Sequence, residues 1–172
     1  MQEYKVTVNS KGTVRWHDLK TGKCHREGGP AVEHTNGTKE WWFNGLLHRV
    51  DGPAAEWANG TKAWYLNGKY HRVDGPAVEY ASGDKHWYLN GKRHRVDGPA
   101  VEYASGDKYW YLNGKRHCVD GPAIEYADGY KAWWVNDVEY SESEFNAKMN
   151  LGSCEGKEIE IDGVTYTLKV KE

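Results

Sequence analysis

The sequence has few of the features that mark the common functional classes of protein. Only three of its 172 residues are cysteines (Cys24, Cys118 and Cys154), and their wide spacing fits neither a disulfide framework nor a zinc site. No stretch approaches the roughly 18 apolar residues of a membrane span, and no apolar leader follows Met1. We therefore expect a soluble, cytoplasmic protein with reduced thiols, no metal and no membrane partner.

An excess of charge of one sign is also missing. The 23 basic and 25 acidic residues give a net charge of −2, so no overall field attracts nucleic acid, and we expect no nucleic-acid partner. Only 38% of the residues are hydrophobic, but nine Trp and twelve Tyr provide large areas for burial. We expect aromatic side chains to form most of the core.

The chain consists mainly of one unit repeated five times. Each unit approximates H-R-V-D-G-P-A-V-E-Y-A-S-G-D-K-x-W-Y-L-N-G-K-x, and all five prolines occupy the same slot. The histidines that open the units stand 23 residues apart, at His25, His48, His71, His94 and His117. We predict an array of five 23-residue repeats over 25–139, a degenerate half-repeat cap over 1–24 and a C-terminal cap over 140–172.

Two turn signals recur in every unit. The first is exemplified by Ser105-Gly106 and the second by Asn113-Gly114, which becomes Asn136-Asp137 in the last unit. Both signals suit two-residue hairpin loops, and the residues between them are rich in β-branched and aromatic types. The Asp-Gly-Pro segment then interrupts the strand pairing. These features predict an all-β fold, an elongated and twisted antiparallel meander.

Two-residue loops would also fix which residues face each other. In that register Val101 lies opposite Trp110, Tyr103 opposite Lys108, Trp110 opposite His117, and Tyr111 opposite Arg116. One face then carries Val101, Tyr103, Trp110, Leu112, His117 and Val119, and the other carries Glu102, Tyr109, Tyr111 and Arg116. A single sheet cannot leave an apolar face in water, so we expect it to curl, be capped, or pair with a second copy as a homodimer.

The C-terminal cap has its own local signals. Ser141 and Glu144 resemble a capping box that opens a short helix, with Phe145 on the side that covers the last apolar face. Residues 158–170 alternate in polarity around Asp162-Gly163, which predicts a terminal β-hairpin joined through residues 152–156.

The period, the aromatic strand and the glycine turns resemble the MORN repeat. In particular, units such as HRVDGPAVEYASGDKHWYLNGKR are similar to a MORN-like variant common in bacteriophage and bacterial antitoxin-like proteins. The resemblance covers 25–139 well and 6–24 loosely. It implies a meandering sheet that serves as a binding scaffold, with phage-encoded members acting on host proteins. The units lack the usual YxGxxxxGxxxxG pattern, so the lipid and membrane-junction roles of MORN proteins are not carried over.

The repeated polar residues favour structure over catalysis. Histidines one unit apart are too distant to share a metal ion, and an Asp before Gly-Pro is typical of a turn. Five near-equivalent sets do not form the single asymmetric constellation that an enzyme needs, so we expect no enzyme activity and no cofactor. Arg49, Arg72 and Arg95 either pair with Glu56, Glu79 and Glu102, or stack beside the aromatic side chains of a binding surface.

Variation between units suggests where a partner binds. The freest slots are Glu40, Ala63, His86, Tyr109 and Ala132, together with Leu47, Tyr70, Arg93, Arg116 and Glu139. We expect both sets on the face opposite the core, with the specific patch between Tyr70 and Arg116. The predicted partner-binding residues are Trp42, Tyr65, Tyr70, His86, Tyr88, Arg93, Tyr109, Tyr111, Arg116 and Trp134.

Three functions are compatible with such a surface. The first hypothesis is a phage-encoded inhibitor that occludes a host defence or toxin protein, in the manner of an antitoxin. The second is a sponge that sequesters a nucleotide-type small-molecule signal between aromatic and Arg side chains. The third is a structural protein associated with virions.

Overall fold

A computed structural model of the chain describes residues 3–150, 158–161 and 164–167. Within these residues the fold is all-β apart from one helix, Glu142–Asn150. The strands form one long antiparallel sheet, four separate two-stranded hairpins, and a C-terminal pair in which Glu158–Ile161 lies beside Val164–Thr167. The sheet is an open meander, which confirms the predicted fold class.

The long sheet contains thirteen strands that are hydrogen-bonded in chain order. Its strands are Tyr4–Val8, Val14–Asp18, Val32–Glu33, Lys39–Glu40, Ala55–Glu56, Lys62–Ala63, Val78–Glu79, Lys85–His86, Val101–Glu102, Lys108–Tyr109, Ile124–Glu125, Lys131–Val135 and Val138–Tyr140. Each of the first four repeats therefore contributes two strands and the fifth contributes three, and most of these are only two residues long. At about 4.8 Å between neighbouring strands, the sheet extends on the order of 60 Å.

The second half of each of the first four units leaves the long sheet as a side hairpin. The side hairpins pair Trp42–Phe43 with Leu46–Leu47, Tyr65–Leu66 with Lys69–Tyr70, Tyr88–Leu89 with Lys92–Arg93, and Tyr111–Leu112 with Lys115–Arg116. Asn113 and Gly114 have φ values of 53° and 87°, as a primed two-residue turn requires. Asn136 and Asp137 adopt the same geometry at 54° and 65°. The second predicted turn is confirmed.

The first predicted turn is wrong by one residue. The N–H of Tyr103 donates to the carbonyl of Asp107, so the loop holds three residues, with Gly106 at φ 101°. Val101 consequently pairs with Tyr109 and not with Trp110, the partner that a two-residue loop predicts. The predicted pairing of Tyr111 with Arg116 is confirmed, and so is that of Trp110 with His117, whose backbones are hydrogen-bonded.

This shift exchanges the faces of the first half of every unit. A one-residue slip moves each side chain of a strand to the opposite side of the sheet. Val101 and Tyr103 therefore lie with Tyr109 and Tyr111. Glu125, which occupies the slot of Glu102 in the next unit, lines one cavity with Trp110, Leu112 and His117. The predicted division into an apolar core face and an aromatic, charged face is wrong.

The buried core is made of small side chains, and the expectation of an aromatic core is also wrong. Phe145 is the one aromatic side chain among the buried apolar residues that the structure describes, whereas Val101 is 1% exposed. Five alanines in one repeat slot are completely buried: Ala31, Ala54, Ala77, Ala100 and Ala123. Half-buried aromatic side chains flank this narrow core within one chain. A second copy is therefore not needed to cover an apolar face. The homodimer stays a prediction.

The histidines connect the start of a unit to the side hairpin of the same unit. Nδ1 of His94 accepts the backbone N–H of Asn113 at 3.1 Å, and His48 and His71 make the same bond to Asn67 and Asn90. This bond ties the first residue of the unit, which directly follows one side hairpin, to the positive-φ turn of the next side hairpin. The repeated histidines thus have a structural role, as their regular spacing indicated.

Both caps continue the sheet or cover its end. At the N-terminus, the hairpin of Tyr4–Val8 and Val14–Asp18 pairs with the first repeat through Val32. At the C-terminus, Ser141 N–H donates to the Glu144 carboxylate while Glu144 N–H donates to Ser141 Oγ, which confirms the capping box. The terminal strands pair as expected, but their predicted turn at 162–163 and the predicted linker over 152–156 lie outside the described residues.

Candidate partner-binding face

Seven of the ten predicted partner-binding residues form one stack along the side hairpins, which we call the aromatic stack. The Tyr65 and Tyr70 ring centres are 4.4 Å apart, and those of Tyr70 and Tyr88 are 5.1 Å apart. Along the array the stack contains Tyr65, Tyr70, Tyr88, Arg93, Tyr111, Arg116 and Trp134. The rings meet because each side hairpin places a cross-strand pair beside the pair of the next unit.

Guanidinium groups continue the stack where the second member of the pair changes from Tyr to Arg. Arg93 lies opposite Tyr88 in its hairpin, and its Cζ is 5.2 Å from the Tyr111 ring centre. Arg116 Cζ lies 3.4 Å from the Trp134 ring centre. A guanidinium over an aromatic ring is attracted by the ring quadrupole, so the alternation is stabilising.

The other three predicted residues lie on the same side of the chain. Trp42 begins the line of side hairpins, and its indole N–H donates to the Glu40 carboxylate at 2.8 Å. His86 and Tyr109 belong to the long sheet, and the His86 ring centre is 6.4 Å from that of Tyr88. All ten residues therefore border one surface, and their role in binding stays a prediction.

A second line of rings runs parallel to the aromatic stack, and of its members only His86 and Tyr109 are among the predicted partner-binding residues. This tyrosine row contains Tyr80, His86, Tyr103, Tyr109, Tyr126 and Tyr130, with successive ring centres 5.0 to 5.9 Å apart. Tyr80, Tyr103 and Tyr126 are 37 to 40% exposed, and Tyr130 is 54% exposed. The first three share one repeat slot with Trp57, but the incorrect register assigned this slot to the core face.

Tyr80 and Tyr109 of the tyrosine row present neutral hydroxyl groups near neutral pH. Burial raises the pKa of Tyr80 above its ordinary value. Burial and a hydrogen bond with Tyr126 raise the pKa of Tyr109 well above its usual range. Protonated phenols keep both a donor and an acceptor for a partner's polar groups, on rings that supply apolar contact.

The first of the two variable slots is not the open surface that the sequence predicts. Ala63, His86 and Ala132 are buried, because this slot lies in the same cross-strand row as Val78 and Val101. Tyr109 is half-buried and Glu40 is too. The patch between Tyr70 and Arg116 is therefore bordered by exposed tyrosines, and the side chains of the variable slot lie buried beneath it.

The opposite side of the chain carries a different repeated feature, the Arg–Trp cluster. In one such cluster Arg95 Cζ lies 4.1 Å from the Trp87 ring centre, and Nη1 donates to Glu102 at 2.8 Å and to the Pro99 carbonyl at 3.2 Å. Nε donates to Asp97 at 3.1 Å. Equivalent Arg–Trp pairs are Arg26 with Trp16, Arg49 with Trp41, and Arg72 with Trp64.

Both alternatives for these arginines are thus partly correct. Arg49, Arg72 and Arg95 form the predicted ion pairs with glutamates, at 2.8 to 3.5 Å. They also stack on aromatic rings, but on the tryptophans of the opposite side. The guanidinium groups within the aromatic stack belong instead to Arg93 and Arg116, which share a different repeat slot. Arg93 lies over the Tyr111 ring and Arg116 over the Trp134 ring.

The described part of the chain meets neither the requirements of a metal site nor those of a membrane-spanning helix. No three His, Cys, Asp or Glu side chains among these residues lie close enough to hold a metal ion. Nor does any described helix have the length and apolarity to cross a membrane. The feature that distinguishes one surface from the rest is the pair of aromatic lines.

His86 makes part of this surface sensitive to pH. It is buried between Tyr80 and Tyr103, and its Nε2 has no hydrogen-bond partner among the described residues. Burial and the nearby Arg93 lower its pKa, although Asp84 opposes the shift. The folded state therefore favours the neutral imidazole.

We expect His86→Ala to reduce the loss of stability in mild acid. Below about pH 6.5 the His86 side chain is protonated in the unfolded chain but stays neutral in the folded one. The free energy of unfolding therefore decreases as the pH falls, until the pH reaches the lowered pKa of His86 in the folded state. Alanine is a matched replacement, because Ala63 and Ala132 occupy the same slot. Urea unfolding of both proteins at pH 7 and pH 5 measures the difference, and an identical change in both would contradict the prediction.

The chain matches no model of a known protein family, and no curated protein is detectably similar to it in sequence.

Proposed function

We propose that this chain is a non-enzymatic binding protein that occludes the functional surface of a partner protein. One observation carries the proposal: two parallel lines of aromatic rings, the aromatic stack and the tyrosine row, border a single surface about four repeats long. Tyr, Trp and Arg are the residues most enriched at binding hot spots, and this surface consists mainly of them.

The exposed edge of the surface is suited to protein contact. Tyr80, Tyr103 and Tyr126 stand one unit apart, and each is held against a neighbouring ring. Rings that are already fixed lose little conformational entropy when a partner binds. Repeat proteins use extended surfaces of this kind to engage large partners.

The partner that we propose is a host defence or toxin protein, with the chain acting as a phage-encoded inhibitor. This assignment is supported by the resemblance of its units to the MORN-like variant of bacteriophage and antitoxin-like proteins. A binding surface without a catalytic centre is compatible with inhibition by occlusion.

The geometry is less favourable to a nucleotide sponge. A base inserted between two rings needs about 7 Å between their planes, since carbon atoms in contact are separated by about 3.5 Å. Ring centres in the aromatic stack are only 4.4 and 5.1 Å apart, and Arg93 and Arg116 already cover the rings that follow. The third hypothesis, a virion component, has no specific observation in its favour.

The test compares two triple variants as baits in bacterial lysate. Replacing Tyr80, Tyr103 and Tyr126 with alanine should reduce capture of the partner by well over 30-fold, because one hot-spot residue contributes about 2 kcal/mol. The control replaces Val50, Val73 and Val96 with alanine. These valines are 83% exposed on the loops of the Arg–Trp clusters, and the control should capture the partner as the wild type does.

Mass spectrometry of proteins and small molecules in the eluates distinguishes the hypotheses. A protein held at near-equal stoichiometry by the wild type and the valine variant, but not by the tyrosine variant, supports the proposal. Equal capture by all three baits would refute the assignment of this surface. A released nucleotide without a protein would favour the sponge, and recovery with virus particles would favour a structural role.

A further inference from the structure

The fifth unit departs from the others at the centre of its Arg–Trp cluster. Its arginine slot holds Cys118, whereas Trp110, Asp120, Pro122 and Glu125 stand where the other units have the partners of a guanidinium. In the preceding unit these partners surround Arg95 with one ring, two carboxylates and one carbonyl. The fifth unit thus keeps the recognition groups and lacks the cation.

The space that a guanidinium would fill is open. A methyl group added at Gly98 would meet Arg95 Cζ at 3.0 Å, and at Gly52 and Gly75 the corresponding distance is 2.9 Å. At the equivalent Gly121 nothing lies within 4 Å. The cavity beside Cys118 measures about 720 Å³, against about 570 and 630 Å³ for the equivalent cavities of the two preceding units.

The groups around this opening retain the capacity to bind a cation. Glu125 is a third exposed, and its one ion-pair partner among the described residues is Lys131, at 3.9 Å. Arg95 also lines the cavity, but Asp97 and Glu102 neutralise it. Burial raises the pKa of the Cys118 thiol, so this group is neutral near pH 7 and does not replace the missing charge.

We propose that the opening between Trp110, Asp120 and Glu125 is a binding site for the guanidinium group of an arginine side chain in a partner polypeptide. The bound group lies flat on the Trp110 indole and donates to the Pro122 carbonyl and the Glu125 carboxylate, as Arg95 does one unit earlier. A guanidinium is favoured over an ammonium because its planar shape allows stacking and several parallel hydrogen bonds at once. The site lies on the opposite side from the aromatic stack, so it can be tested independently of the proposed function.

The probe is N-acetyl-arginine amide, which has the side chain but no terminal charges. A ligand of this size should bind with a dissociation constant on the order of 1 mM. The lysine derivative should bind several-fold more weakly, and the uncharged citrulline derivative should not bind. Binding is followed by the shift of the Trp110 indole N–H resonance, assigned through its loss in Trp110→Phe.

Three variants separate a guanidinium site from non-specific attraction. Cys118→Arg should fill the opening from within, abolish binding and raise the thermal midpoint by about 2 to 4 °C. Cys118→Ala is its matched control and should bind like the wild type. Glu125→Gln should weaken binding roughly tenfold, the loss of one charge-assisted hydrogen bond.

Arg95→Cys provides the strongest test, because it should recreate the opening one unit earlier. The titration should then contain two sites, with the second reported by the Trp87 indole. Binding that persists in Cys118→Arg would overturn the proposal, and so would an Arg95→Cys protein that folds but gains no second site. Tighter binding of free arginine than of the blocked derivative would overturn the assignment to a side chain in a polypeptide.

Discussion

Replacing Ala100 with leucine should lower the free energy of unfolding by about 3 kcal/mol. Ala100 has no exposed surface, and its carbonyl accepts the backbone N–H of Trp87 at 2.8 Å. Three additional carbon atoms must therefore push neighbouring strands apart or adopt a strained rotamer, and overpacking of this kind costs about 1 to 3 kcal/mol. The upper end applies because strands of two residues have few other contacts to retain their position.

The matched control is Ala104→Leu in the same unit. Ala104 is exposed in the three-residue loop, so the larger side chain extends into solvent and should change stability by less than about 0.5 kcal/mol. Urea denaturation of both variants measures the difference. Equal urea midpoints for the two variants would show that the buried alanine slot accommodates a larger side chain and does not define the spacing between units.

The second turn of each unit could be predicted because its requirement is local. Two consecutive positive φ angles are needed, and Asn-Gly is the pair that adopts them at least cost. The same geometry persists at Asn136 and Asp137, where the glycine is lost. The surrounding fold holds Asp137 in place, since its carboxylate accepts the backbone N–H of Arg116 at 3.0 Å.

The first turn depends on contacts between units and could not be derived from its own residues. Ser105-Gly106 suits a two-residue loop as well as a three-residue loop with glycine at positive φ. The structure contains the longer loop, and the backbone N–H of Ala104 donates to the carboxylate of Asp84 in the preceding unit at 2.7 Å. This bond spans 20 residues, so no local pattern contains it.

This single error explains what was correct and what was missed in the candidate site. Residues of the second half of the unit, such as Tyr88 and Arg93, were paired correctly and do form the aromatic stack. Tyr103 belongs to the first half, where the register was wrong, so an exposed residue of the surface was assigned to the core. The interiors of the Arg–Trp clusters also escaped prediction, because the ring and the guanidinium lie eight residues apart and meet through the loop between them.

The contribution of the stacked guanidinium to stability should be measurable as the difference in free energy of unfolding between two tryptophan variants. Trp87→Ala should destabilise the protein by about 3 kcal/mol, the lower end for a large aromatic truncation, because the ring is only half-buried. Trp110→Ala should cost about 1 kcal/mol less, since Cys118 leaves that ring without a guanidinium. Chemical denaturation of both variants tests this order.

The pair is well matched because the two tryptophans occupy the same slot and make the same backbone hydrogen bonds. The N–H of Trp87 donates to Ala100 O, and that of Trp110 donates to Ala123 O, both at 2.8 Å. The comparison therefore isolates the stacked cation from the packing of the indole. Equal losses in the two variants would mean that the guanidinium contributes nothing beyond its ion pairs, and the recurrent Arg–Trp contact would then be a consequence of the fold and not one of its causes.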